Sequence, residues 1–157
     1  MSRRLAPSAG ADALGPGRLD SYLFYWIGQV DNLYKRAILE ALRPMRINLP
    51  WWRTLAVLSE RGPTTVGELA RITVIERTAL TRVIDRMVKR GFVRRVVRTG
   101  DRRVVEIHLE PEGRALYARI LPEARAVYRR ATADLSPRQV KALIAELKEI
   151  RKRLPGG

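Results

Sequence analysis

The sequence of 157 residues contains no cysteine, which excludes disulfides, thiolate metal sites and thiol-based redox sensing within the chain. Its single histidine, His108, sits in a strand-like segment beside one acidic neighbour, without the ligand spacing that a zinc site needs. No metal and no cofactor are expected. No apolar run approaches the roughly 18 residues of a membrane-spanning helix, and the opening "MSRRLAPSAGADALGPG" lacks the continuous apolar core of a secretion signal. A cytoplasmic protein without a membrane partner is the expectation. Catalytic constellations are missing too, since Ser59 and Ser136 have no histidine partner by pattern and the acids are spread as helix charges. An enzyme is not expected.

Acids are scarce as well: 16 Asp plus Glu stand against 31 Lys plus Arg, a formal net charge of +15. Such a field draws polyanions, and nucleic acid is the first partner to consider. The length fits one domain with a real core and one appendage. Residues 1–18, rich in Ala, Gly, Pro and Ser, read as a disordered tail.

From Leu19 to Leu42 apolar residues recur every three or four positions, which predicts a long amphipathic helix capped by Asp20 or Ser21. Two prolines in "RPMRINLP" interrupt it, and "WWRTLAVLSERG" predicts a short helix stopped by Gly62. Thr65 with Glu68 has capping-box spacing and opens a third helix; Thr73 with Glu76 repeats the device for a fourth, with Leu80, Ile84, Met87 and Val88 as its buried stripe and Gly91 as its end. "FVRRVVR" and "RVVEIHL", rich in β-branched residues and separated by "TGD", predict a β-hairpin. A helix follows Pro111, kinked by Pro122, and a last one begins at "SPRQ", where Ser136 caps, Pro137 takes the first helical position and Gln139 completes the box.

Two short helices joined at "RIT" and followed by a hairpin make a winged helix-turn-helix, whose second helix enters the major groove. The exposed start of that helix carries Glu76, Arg77, Thr78, Thr81 and Arg82, types able to bond guanine, thymine or cytosine edges. An ordinary solvated flank would look similar. Charge placement separates the two. From Arg71 to Arg103 eleven basic residues (Arg71, Arg77, Arg82, Arg86, Lys89, Arg90, Arg94, Arg95, Arg98, Arg102, Arg103) face three acids (Glu76, Asp85, Asp101), a net of +8. Phosphate neutralisation and counterion release repay that concentration of like charge.

The stretch "TVGELARITVIERTALTRVIDRMVKRGFVRRVVRTGDRRVVEIHLEPEGRAL" resembles the DNA-binding segment of the MarR family of bacterial transcription regulators, above all in Asp101-x-Arg103 of the wing and in the L-x-x-x-G from Leu109 to Gly113. Glu110 departs from the family's usual Thr, which weakens a cap on the following helix. The resemblance implies that Arg103 enters a minor groove, where a narrow A·T-rich track concentrates negative potential. It implies that Asp101 orients the Arg103 guanidinium or the turn. Arg95, Arg98 and Arg102 would steady the wing on phosphates, and Thr65, Thr73 and Arg86 complete the candidate DNA contacts. The alternative is that these charges only keep a hairpin soluble.

One wing and one recognition helix cover a single half-site, so specific binding calls for two copies about one DNA turn apart, roughly 34 Å. The stripe of Leu19 to Leu42, that of Val140 to Leu154 and the helix between Leu116 and Leu135 would pack as a bundle shared between two subunits, as in the resembled family. The resemblance also implies a small-molecule effector, aromatic or an acyl thioester, in a crevice lined by Tyr22, Tyr25, Trp26, Trp51, Trp52 and Arg53; the same aromatics would serve equally as core.

The expected fold is mainly α with a small β-hairpin wing: a tail over residues 1–18, a helical dimerisation region over 19–48 and 112–157, and a winged helix-turn-helix over 49–111. The expected function is a homodimeric, sequence-specific DNA-binding transcription regulator, a repressor that binds a palindromic operator and is released by a small ligand. The rival reading is a basic architectural DNA-binding or RNA-binding protein without sequence choice.

Overall fold

The computed structural model describes residues 18–155, so the N-terminal segment expected as a tail, with Arg3 and Arg4, lies outside the described residues apart from Arg18. The chain divides into two compact units, one up to Leu49 and one from Pro50 onward.

The first unit carries a 3-10 turn, Leu19–Ser21, and the long helix α1, Leu23–Leu42. Neither Asp20 nor Ser21 caps α1 as expected. The N-cap is Tyr22, whose side chain makes no capping bond, because Asp20 and Ser21 are consumed in the preceding turn. Trp26 ties that turn down by donating Nε1–H to the Asp20 carbonyl at 2.9 Å. The α1 stripe stays uncovered at Leu23, Trp26, Val30 and Leu33, all exposed. A second 3-10 turn, Arg43–Met45, built on Pro44, ends the unit's helical run.

From Leu49, the last residue of the first unit, α2 spans Leu49–Arg61; the second unit then holds β1 Thr64–Thr65, α3 Val66–Thr73, α4 Arg77–Lys89, β2 Val93–Arg98, β3 Asp101–Leu109, α5 Pro111–Ala131 and α6 Pro137–Arg153. The sheet is antiparallel in the order β1-β3-β2. Its hairpin closes through Thr99 and Gly100, the glycine at φ +91°, a left-handed position that an L side chain adopts only under strain. The edge strand β1 escaped the sequence reading, since a two-residue strand has no periodicity to detect.

The core lies where α2, α3, α4 and the sheet converge, on Leu55, Leu58, Leu69, Leu80, Ile84, Met87 and Ile107. Fully burying such a side chain contributes about 1.5–3 kcal/mol. On α4 the buried stripe is Leu80, Val83, Ile84 and Met87, with Val88 only half-buried. The helix ends in a Schellman turn: Gly91 N–H donates to the Val88 carbonyl at 2.9 Å and Phe92 N–H to that of Met87 at 3.0 Å. That turn feeds the chain straight into β2.

Gly113, the end of the L-x-x-x-G motif, has a packing reason. A Cβ there would stand 2.2 Å from the Phe92 carbonyl oxygen, so the first turn of α5 can lie against the α4–β2 connection only without a side chain. Glu110 is the N-cap of α5 and makes no capping bond, in line with its departure from threonine. The helix runs on through Pro122 to Ala131. The Ser136 box on α6 is complete, with Gln139 N–H on Ser136 Oγ at 3.3 Å and Ser136 N–H on Gln139 Oε1 at 2.8 Å. No residue of α6 is buried, and Leu143, Ile144 and Leu147 lie open.

Candidate nucleic-acid interface

Helices α3 and α4 meet through a tight turn whose first residue, Val74, has φ 54° and is 84% exposed. A β-branched residue in the left-handed region is strained, and the turn is held from both sides. Arg53 Nη1 donates to the Thr73 carbonyl at 3.2 Å, satisfying a free carbonyl at the end of α3. Thr73 itself is buried, its hydroxyl donating to the Leu69 carbonyl at 2.7 Å.

This arrangement corrects the expected cap on α4. The N-cap is Glu76, not Thr73: its Oε1 accepts Thr78 N–H and its Oε2 accepts Ala79 N–H, both at 2.8 Å. These backbone hydrogen bonds, with Thr78 first, hold the Glu76 carboxyl below the usual carboxylate range. A carboxylate so engaged organises the helix start. Thr73, turned inward, is not placed to meet DNA.

With one face of α4 spent on the core, the other presents Arg77, Thr78, Thr81 and Arg82, neighbours at helical spacing, with Arg86 one turn further. Thr81 donates its hydroxyl back to the Arg77 carbonyl at 2.9 Å and keeps its methyl for contact. Thr65 caps α3, its hydroxyl oxygen accepting Glu68 N–H at 3.2 Å.

On the wing the arginines fall into two groups. Arg94, Arg95 and Arg98 are tied to Glu110, Asp85 and Glu106 at 2.5, 2.7 and 2.6 Å. Arg102 and Arg103 at the tip, like Arg77, Arg82 and Arg86 on α4, are exposed and have no ion-pair partner among the described residues. Asp101 Oδ1 accepts the backbone N–H of Arg103 at 3.0 Å, so of its two expected tasks it orients the turn. Sequence alone does not reveal Asp85 and Glu106 as partners: Asp85 lies on α4, and only the hairpin register brings Glu106 of β3 to Arg98 of β2.

The expected effector residues are divided. Trp52 and Arg53 line a cleft of about 300 Å³ together with Ile72 and Val74, and Trp52 stacks on Tyr117 with ring centres 5.7 Å apart. Trp51 is buried, edge-on to Phe92 at 5.6 Å. Tyr22, Tyr25 and Trp26 belong to the first unit, where Tyr25 and Trp26 pack edge to face at 5.4 Å.

His108 is half-buried, its Nε2 3.3 Å from Glu106 Oε2. No helix among the described residues is long and apolar enough to cross a membrane, and they contain no metal-binding cluster.

Comparison with known proteins fits this geometry. The profile of the MarR family matches residues 47–105, from the start of α2 to the middle of β3. An HTH-type transcriptional repressor from Pseudomonas putida, IacR, is 25% identical over 126 residues, covering 80% of this chain and 75% of its own. The solved structure of a MarR-family transcriptional regulator from Silicibacter pomeroyi superposes with a TM-score of 0.82 at 26% identity over 99% of both chains. A cysteine-to-serine variant of MarR from E. coli, solved in complex with operator DNA, superposes at 0.72 with 26% identity over 82% of this chain and 92% of that one. Profile, helix order and wing motif agree: residues 47–105 match the MarR family, and nearly the whole chain is similar to its DNA-binding winged helix-turn-helix transcription regulators.

Proposed function

We propose that the protein acts as a homodimeric, sequence-specific repressor that reads a palindromic operator with α4 in the major groove and the wing tip in the adjacent minor groove. The observation that carries this reading is the division of the arginines. Arg77, Arg82 and Arg86 on one helix face and Arg102 and Arg103 on the wing tip have no ion-pair partner among the described residues, whereas those of the wing stem are paired with acids. Arg77, Thr78 and Arg82 meet base edges, Arg86 and Arg102 meet phosphates, and Arg103 enters the minor groove.

Dimer formation is supported by two uncovered apolar stripes, Leu23 to Leu33 on α1 and Leu143 to Leu147 on α6, which a monomer would leave to water. The operator complex of the E. coli relative and the repressor name of the P. putida relative support operator binding and repression. The cleft beside Trp52 and Arg53 suits a small aromatic acid: the indole offers a flat wall, and the guanidinium keeps donors beyond the one given to Thr73. A ligand there would press on the Thr73–Val74 turn that sets the start of α4, which is how binding would release DNA.

Selection of bound duplexes from a random pool at about 150 mM salt, where non-specific phosphate binding is reduced, tests the proposal. An inverted repeat with half-sites about one turn apart is the expected product. Tight binding with no recovered motif would overturn it in favour of an architectural or RNA-binding role.

A further inference from the structure

Glu106 on β3 meets two side chains of the wing. Its Oε1 accepts both Nε and Nη2 of Arg98, at 2.7 and 2.6 Å, and its Oε2 lies 3.3 Å from His108 Nε2. Only 18% of its side chain is exposed. The Arg98 hydrogen bond keeps its carboxyl below the usual range, so it is ionised at neutral pH.

Its place in the hairpin matters more. Glu106 stands opposite Val96, and Arg98 lies two residues nearer the tip, just past an irregular step in the register between Val97 and Arg98. Such steps bend and twist a hairpin. A planar guanidinium gripping one oxygen with two donors fixes direction as well as distance. The pair therefore ties the two strands across the irregular step, which holds Arg102 and Arg103 on the β3 side. At the other end of the stem Asp85, on α4, holds Arg95 of β2 at 2.7 Å and joins the wing to the recognition helix.

A partly exposed ion pair adds little to stability, and a carboxylate beside a phosphate-binding surface weakens attraction for DNA. Neither accounts for an acid here. We infer that Glu106 is a positioning residue for operator reading: by holding Arg98 across the irregular step it fixes the direction of the wing tip, and so raises discrimination between operator and random duplex at some cost in overall attraction for DNA. This rests on the wing-in-groove reading proposed above.

The test compares the full chain with Glu106→Gln and Arg103→Ala, on the selected duplex and on a random duplex of equal length at matched salt. Glutamine keeps the shape and removes the charge. For Glu106→Gln the selected duplex should bind about fivefold to tenfold more weakly, at the low end of a single-contact loss, while random duplex binds as well or better. The charge-swapped double variant Arg98→Glu with Glu106→Arg should recover part of the preference, as coupled partners do. If Glu106→Gln tightens both duplexes alike, Glu106 is only a repelling charge and the inference is overturned; equal weakening, or no change, overturns it too. An Arg103→Ala loss beside an intact Glu106→Gln preference defeats the positioning role alone, whereas an Arg103→Ala protein that binds normally defeats the wing reading itself.

Discussion

At the tip of the wing Asp101 Oδ1 accepts the backbone N–H of Arg103 at 3.0 Å, which leaves the Arg103 guanidinium without an acid partner among the described residues. The acid shapes the turn and the arginine is free to bind. Arg103→Ala is expected to cost on the order of 1–3 kcal/mol of operator affinity, with a salt dependence shallower by about one phosphate. Asp101→Ala should cost less, because the cation survives and only its support is loosened. Fluorescence anisotropy at matched salt decides the matter; equal affinity for wild type and Arg103→Ala removes the wing from the interface.

Arg77 opens α4 on the side away from the core and has no ion-pair partner among the described residues. Arg77→Ala should weaken binding by about 1–3 kcal/mol and relax preference at one base position of each half-site. Repeating the duplex selection with the variant reads this directly. A uniform loss with the motif intact would make Arg77 a phosphate contact.

Glu76 links the recognition helix to pH. Its folded-state pKa lies below the ordinary 4.5, through the Thr78 and Ala79 backbone hydrogen bonds. A carboxyl lowered in this way contributes stability that is complete above the unfolded value and is lost as pH falls through the folded one. Glu76→Ala should therefore unfold at lower urea than wild type at pH 7, and the gap should narrow below about pH 4.5. Glu106, lowered as well, is present in both proteins and cancels from the difference. A gap that stays constant down to pH 3 would contradict the capping role.

Leu143 and Leu147 lie one turn apart on the open face of α6, at 53% and 45% exposure. If that face is the subunit contact, the double variant Leu143→Glu with Leu147→Glu should sediment as a monomer, since two charges cannot be buried unpaired. Operator affinity should fall toward that of a single half-site. A dimer that survives the change would move the contact elsewhere.

Much of the architecture was legible because it rests on local rules. Ser136 and Gln139 form the box their spacing predicted, Gly62 and Gly91 end helices where expected, and the wing closes at Thr99–Gly100. The failures came where two local rules competed. Thr73 and Glu76 have box spacing, yet Thr73 still belongs to α3, so the longer Glu76 side chain caps by itself. For Arg95 and Arg98 the sequence shows the charge but not the ion pairs, because their partners Asp85 and Glu106 are ten and eight residues away and meet them only in the fold. Arg53 looked like a ligand anchor and also braces a carbonyl at the end of α3, a contact across twenty residues that no pattern reveals.

The two sides of α4 do separate jobs: Leu80, Val83, Ile84 and Met87 hold it in the core, and Glu76 closes its start. Of the exposed positions at its start, 78 and 82 also support the Glu76 carboxylate through the Thr78 side chain and the Arg82 charge, whereas 77 lends only its backbone. Position 77 can therefore change in evolution or in the laboratory almost independently of folding, while exchanges at 78 and 82 also touch the start of the helix.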